Sequence, residues 1–188
     1  MDFDLRSSLL SGCFELCPVI RSDARGCFVK TFHSAAFAEA GLCTDFCEDY
    51  YSVSHQGVLR GMHFQTPPHE HTKLVYCISG RVMDVVVDLR CGSPTYGRHA
   101  VFDLDAHKAN MVYLSAGLAH GFLVLSASAV LVYKVSSFYA PQHDAGILWS
   151  SVGVDWPVAE PIVSQRDHSF PTLQDYQSPF VYQGEKLV

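Results

Sequence analysis

From Lys73 to Val135 the chain is a succession of short apolar runs broken by glycine, serine and proline, and no other feature limits its fold as strongly. Runs of this length with period-two alternation read as strands. Residues 73–78 and 81–89 are predicted to form a hairpin about Ser79 and Gly80. In its second arm Met83, Val85, Val87 and Leu89 share one apolar face, while Asp84 and Asp88 point the other way. CGSPTYG (91–97) reads as a turn, 98–104 and 111–114 as strands, Ser115–Ala119 as a loop, and 120–125 with 129–135 as a second hairpin. Many short strands with this punctuation predict a mainly β fold, an antiparallel sandwich or barrel. One short helix near the N-terminus is expected, with Ser34 capping SAAFAEA and Gly41 ending it. After about residue 140, Pro141, Pro157, Pro161 and Pro171 predict an irregular segment that wraps the outside.

The 188 residues are expected to form one domain, 1–188, able to bury a core without cross-links. A net charge of −6 argues against a general basic surface for nucleic acid or anionic membrane, so an anionic ligand would need a local cluster of Arg and Lys. Seven cysteines, an odd number without CxxC spacing, read as reduced thiols; the CxxxC pairs Cys13/Cys17 and Cys43/Cys47 are a weak metal signal. The start, MDFDLRSSLL, is unlike a signal peptide. The longest apolar run, Phe122–Tyr133, falls far short of the roughly 20 residues a spanning helix needs. A cytoplasmic protein is expected.

The stretch GVLRGMHFQ (57–65) sets an arginine, a histidine and an amide in a segment whose neighbours say β-strand. Burying each such group unpaired costs several kcal/mol, very roughly, so the strand is expected to line a polar cavity. In a regular strand Arg60 and His63 fall on opposite faces; both reach one cavity only if the strand bulges, and Gly61 is the natural place. His63 reads as a general base, or as a core histidine satisfied by a carbonyl. Lys73 reads as a cavity cation for an oxyanion, or as a strand-edge charge. Tyr133, in phase with Ala129 and Leu131 on an inward face, reads as a general acid or a core tyrosine. His63, His69, His71 and His120 also raise a metal site. HEH (69–71) and SAGLAH (115–120) resemble the two cupin metal motifs, but Val75 and Tyr76 stand where the acidic ligand would be, so no bound metal is expected.

Over about residues 20–170 the chain closely resembles one family, the cofactor-independent, cupin-fold epimerases of nucleotide 4-keto-6-deoxy sugars, typified by dTDP-4-dehydrorhamnose 3,5-epimerase. The resemblance rests on DARGCF (23–28), GVLRGMHFQ (57–65), KLV (73–75), VVVDLR (85–90), SPTYG (93–97), GLAHGFLVLS (117–126), LVYK (131–134), FYAP (138–141), GILW (146–149), DWP (155–157) and SQRD (164–167). It implies a cupin-type antiparallel jelly roll, no cofactor, and removal of a proton beside the C4 ketone to give an enolate. It implies His63 as base, Asp167 as its carboxylate partner, Tyr133 as acid on the far face and Lys73 near the C4 oxygen. His120 would line the sugar pocket, and Arg25, Arg60 and Arg166 would hold the diphosphate. Tyr139 of FYAP joins the substrate-binding set, with Lys30, Glu48 and Tyr50.

Those last three depart from the family's usual pattern. RGFFFE becomes Arg25-Gly-Cys-Phe-Val-Lys30, and QDNHS becomes Glu48-Asp-Tyr-Tyr-Ser52. The chemical residues are kept while the nucleotide side changes, which suggests a GDP-linked sugar, or a heptose, in place of the thymidine-linked hexose. The resemblance also implies a homodimer whose N-terminal strands reach the partner's sheet. Two alternatives stand: a 3,4-ketoisomerase on a similar substrate, and a sugar-nucleotide-binding cupin without turnover.

Overall fold

Burial on both faces of the central strands organises the molecule. The computed structural model describes residues 3–184. The strands β1 (Phe3–Ser7), β2 (Cys13–Pro18), β3 (Ile20–Asp23) and β4 (Gly26–Val29) precede the helix α1 (Ser34–Glu39). Then come β5 (Glu48–His55), β6 (Leu59–Gln65), β7 (Lys73–Ser79), β8 (Arg81–Asp88), β9 (His99–Asp105), β10 (Met111–Leu114), β11 (Leu118–Val124) and β12 (Ser128–Val135). A short β13 (Asp144–Gly146) and the one-turn helix α2 (Gln165–His168) follow. A six-stranded sheet runs β1-β2-β10-β7-β12-β5, a five-stranded one β13-β6-β11-β8-β9, and among the described residues β3-β4 pair only with each other. The antiparallel, mainly β roll is as expected.

Between the two large sheets lie Val75, Cys77, Val82, Val86, Val112, Leu118, Phe122, Ala129, Leu131 and Tyr133. Ala36 and Phe37 of α1 cover the outer face of the six-stranded sheet at Leu16, Leu74, Tyr76 and Met111. Ile147, Val152 and Phe180 of the C-terminal wrap cover Met62, Phe64, Val85, Val87 and Leu89 on the other sheet. The parity read for β8 is therefore right, but its apolar face packs under the wrap. Asp84 and Asp88, with Val82 and Val86, face the interior.

Both predicted hairpins require correction. β7 and β8 meet at Ser79-Gly80 but join different sheets, β7 beside β10 and β12, β8 beside β9 and β11. β11 and β12 separate in the same way, and β11 begins at Leu118, earlier than expected. These tight turns are corners between layers. Gly80 has φ +82°, and a Cβ there would lie 2.1 Å from the Ser128 carbonyl. The helix also starts differently: His33 holds the cap position, its side chain makes no capping bond to the helix, and Ser34 is the first helical residue. Gly41, at φ +69°, ends it as expected, with the Leu42 N–H bonded to the Phe37 carbonyl at 2.9 Å. The C-terminal wrap is irregular except for β13, a 3-10 turn at Trp149–Ser151 and α2.

Candidate active site

A bulge in β6 builds the site. His120 of β11 pairs with His63, and Phe122 with Arg60, so Gly61 and Met62 together oppose Gly121. The Gly61–Met62 peptide is cis. A Cβ on Gly61 would sit 2.6 Å from the Gly121 Cα, so the strands meet this closely only because both residues are glycine. The inserted residue restores Arg60 and His63 to one side, and both line a cavity of about 390 Å³.

His63 and Asp167 form a pair. The imidazole Nε2 lies 2.9 Å from Asp167 Oδ1, a short but oblique approach, with the histidine side chain 29% exposed and the carboxylate 5%. Asp167 Oδ2 accepts the Gly61 N–H at 3.1 Å, so one carboxylate holds both the base and the bulge that aims it. Burial alone would raise the Asp167 pKa; the close approach of the His63 ring and the hydrogen bond from the Gly61 amide outweigh it and hold the group below the ordinary range. With Nε2 turned to the carboxylate, Nδ1 is the nitrogen left to accept a proton.

Lys73, 5% exposed, donates from Nζ to the His63 carbonyl at 3.1 Å. Burial pushes its pKa down to about 8, against the opposing charges of Asp144 and Asp84. Tyr133 is 8% exposed with its hydroxyl 3.1 Å from Ser52 Oγ. Burial raises its pKa, partly offset by the Ser52 bond, and keeps the phenol protonated. His120 Nε2 lies 2.7 Å from Asp84 Oδ2, and its ring meets Tyr133 edge-on at 6.1 Å.

Charged and amide groups ring the remainder of the cavity. Arg60 Nε donates to Ser54 Oγ at 3.0 Å, and Arg166 Nη2 to Asp144 Oδ1 at 2.7 Å. Glu48 Oε1 accepts the Tyr139 N–H at 3.0 Å, and the Tyr139 hydroxyl donates to Asp144 Oδ2 at 3.2 Å. Gln65 accepts the Ala140 N–H at 2.7 Å and donates to the His69 carbonyl at 2.8 Å, tying together the two loops at the cavity wall. His71 also lines the cavity; burial, then the Lys73 charge, drives its pKa down to about 3, so it stays neutral.

The structure thus gathers His63, Lys73, Tyr133, His120, Arg60, Glu48, Tyr50, Tyr139 and Arg166 on one cavity, with Asp167 behind His63. It does not bring Arg25 and Lys30 there. Arg25 stands in the β3–β4 turn, its side chain 90% exposed and paired with Asp23, and Lys30 follows β4 at the surface. Among the described residues that hairpin joins neither large sheet, and neither residue lines the cavity. His69, raised as a metal ligand, meets the His143 ring with centroids 4.6 Å apart and planes tilted by 42°, and lies outside the cavity lining. Among the described residues no group of three or more His, Cys, Asp or Glu is arranged to hold a metal.

Residue reasoning missed Ser52, Asp84 and Asp144 as parts of the site, gave the Gln65 amide no role there, and raised His71 only as a metal ligand. Asp84 carried the signal used for Lys73, an ionisable group in a run of valines. α2 carried one too: Ser164 three residues before Asp167 is a capping pattern, and Ser164 Oγ accepts the Asp167 N–H at 3.1 Å.

Known proteins align with this arrangement. Residues 7–175 match the family model described as dTDP-4-dehydrorhamnose 3,5-epimerase. The chain is 42% identical over 153 residues to dTDP-4-dehydrorhamnose 3,5-epimerase of Shigella flexneri, covering 80% of this chain and 84% of that one. It is also 42% identical over 166 residues to dTDP-4-dehydrorhamnose 3-epimerase of Streptomyces niveus, with 87% and 80% covered. The crystal structure of a Legionella pneumophila 3,5-epimerase in complex with dTDP-4-keto-L-rhamnose superposes with a TM-score of 0.92 at 32% identity, covering 97% of this chain and 100% of that one. The chain belongs to the dTDP-4-dehydrorhamnose 3,5-epimerase family, isomerases built on a cupin-type antiparallel roll.

Proposed function

We propose that this chain inverts C3, C5 or both, the stereocentres flanking the C4 ketone of a nucleotide-linked 4-keto-6-deoxy sugar, through an enolate and without a cofactor. The observation that carries this reading is the His63–Asp167 pair with the Lys73 ammonium bonded to the carbonyl of His63 itself. His63 Nδ1 takes the proton from the carbon beside the ketone, and Asp167 stabilises the imidazolium that results. The electron pair moves onto the C4 oxygen, where the Lys73 cation favours the enolate over the ketone. The Tyr133 phenol delivers a proton to the opposite face of the same carbon, and the ketone reforms. Arg60 and Arg166 carry the charge that a diphosphate needs in an otherwise acidic protein.

The chain acts in the cytoplasm in this reading; no helix among the described residues is long and apolar enough to cross a membrane. It acts as a homodimer, because the β3–β4 hairpin, joined to neither large sheet among the described residues and with Ile20 and Phe28 exposed, offers Arg25 to a second copy's cavity. Glu48 favours a second reading of the nucleotide, GDP in place of the dTDP named for the relatives, on a hexose or a heptose. A carboxylate on the cavity wall suits the two adjacent N–H donors of a guanine edge better than the single one of thymine.

Incubation in D2O with dTDP- and GDP-linked 4-keto-6-deoxy sugars, followed by NMR of the ring protons, tests all of this. Deuterium at C3, C5 or both identifies the centres inverted. A carbonyl found at C3 in the product would make the protein a 3,4-ketoisomerase, and no exchange with any substrate would make it a binding protein. Tyr133→Phe is expected to wash deuterium in while inverting slowly. Turnover of the dTDP sugar equal to or faster than the GDP sugar contradicts the guanine reading.

A further inference from the structure

β5 is the edge strand of the six-stranded sheet, and its register sets Tyr50 opposite Tyr133 and Ser52 opposite Leu131 on β12. Tyr50 and Ser52, two apart, therefore present their side chains on the face that carries Tyr133. The Tyr50 and Tyr133 rings stack with centroids 5.0 Å apart and planes 18° from parallel. Ser52 Oγ meets the Tyr133 hydroxyl at 3.1 Å, and the His120 ring meets its edge at 6.1 Å. Tyr133 is 8% exposed and Tyr50 44%, so the second ring lies between the first and solvent.

From this arrangement, and resting on the reading of Tyr133 as the proton donor, we infer that Tyr50 is a positioning residue: its ring braces the Tyr133 phenol at the angle that delivers a proton to the face opposite His63. A phenol hinged at its Cβ swings its hydroxyl through a wide arc, and Ser52 restrains only the oxygen. His120 meets Tyr133 at an edge and leaves one face of the ring to Tyr50. Misplacement of a reacting group by about 1 Å can cost a hundredfold in rate. Burial pushes the Tyr50 pKa up to about 12, so its hydroxyl stays neutral and the stack is between two uncharged rings. Removing the Tyr50 ring leaves the His63 side of the reaction in place. The carbon then loses its proton and regains one from the same face more often than it inverts.

The test compares Tyr50→Phe, Tyr50→Ala and Tyr50→Val by the ratio of inversion to deuterium wash-in, which a general loss of folded protein does not move. Tyr50→Phe is expected to keep the wild-type ratio, and Tyr50→Ala to lower it about tenfold. Tyr50→Val, a strand former, gives the same result if the alanine variant folds poorly. A second readout needs no turnover: the NMR ring-flip rate of labelled Tyr133 rises in the alanine and valine variants and not in the phenylalanine one. An unchanged ratio in Tyr50→Ala overturns the inference, as does an unchanged flip rate. A ratio that falls equally in Tyr50→Phe also overturns it, since the hydroxyl would then touch substrate directly. If wild type exchanges no nucleotide sugar, the proposed function fails while the flip rate still decides the brace.

Discussion

Among the described residues the same chemical pair occurs twice, in two settings. His63–Asp167 joins a bulged strand to α2 in the C-terminal wrap, and its imidazole is 29% exposed at the cavity. His120–Asp84 joins two neighbouring strands, β11 and β8, inside the barrel, with side chains 4% and 0% exposed. The first contact is short and oblique; the second is well aligned at 2.7 Å. The second aspartate also keeps Oδ1 buried without a hydrogen-bond partner. That carboxylate acts at a distance, opposing the drop in the Lys73 pKa and raising that of Tyr133. The difference teaches that a His–Asp pair becomes a proton carrier through access. With its ring almost fully buried at the cavity wall, the same pair becomes part of the field around the lysine and the phenol.

The sharpest way to break this comparison is to neutralise each carboxylate in turn. Asp167→Asn removes the charge that stabilises the imidazolium, and kcat is expected to fall about 10³-fold or more. Asp84→Asn is expected to cost about tenfold, since it acts through Lys73 and leaves the base untouched. Equal losses measured by steady-state kinetics would erase the distinction.

pH separates the two pairs next. The Lys73 ammonium, with its pKa lowered to about 8, is cationic below that value and lost above it, so kcat/KM of the wild type is expected to fall as pH rises through about 8. Asp84 is one of the charges that hold this pKa up, so Asp84→Asn moves the falling limb to lower pH. Asp167→Asn leaves that limb in place while lowering the whole profile. A limb unmoved by Asp84→Asn would deny the buried pair its electrostatic role.

The smallest effect concerns the bulge that gives His63 its access. Gly61→Ala puts a Cβ at 2.6 Å from Gly121 Cα on a residue with φ +141°, where side chains are strained. A loss of about 2 kcal/mol in denaturant stability is expected, with activity reduced further in the variant that remains folded. The matching change on the other pair's own strand, Ala119→Gly, opens no such clash and is expected to cost about 1 kcal/mol with the site intact.

The strands were legible because alternation and turn residues are local signals. Their sheets were not. Ser79-Gly80 looks like a hairpin turn, yet the choice of partner strand depends on residues far along the chain, and there the turn serves as a corner. Lys73 and Tyr133 stood out as polar groups in apolar strands, and the Arg60–His63 spacing required the bulge that Gly61 supplies. Asp84 gave the same kind of signal but was set on the face away from its apolar neighbours. Alternation cannot tell inside from outside when α1 and the wrap cover both sheets. Asp167 came from the family resemblance, since α2 is too short to announce itself beyond its Ser164 cap. Arg25 and Lys30 were legible as cations and not as distant ones, because nothing local says that β3 and β4 pair with no other strand.

The central claim is that His63, and not His120, takes the proton beside the ketone. Loss of substrate ring protons to D2O, followed by NMR for wild type, His63→Asn and His120→Asn, tests it most directly. Exchange is expected to vanish in His63→Asn and to persist, at a reduced rate, in His120→Asn. Wild-type exchange in His63→Asn, or exchange abolished only in His120→Asn, would contradict it.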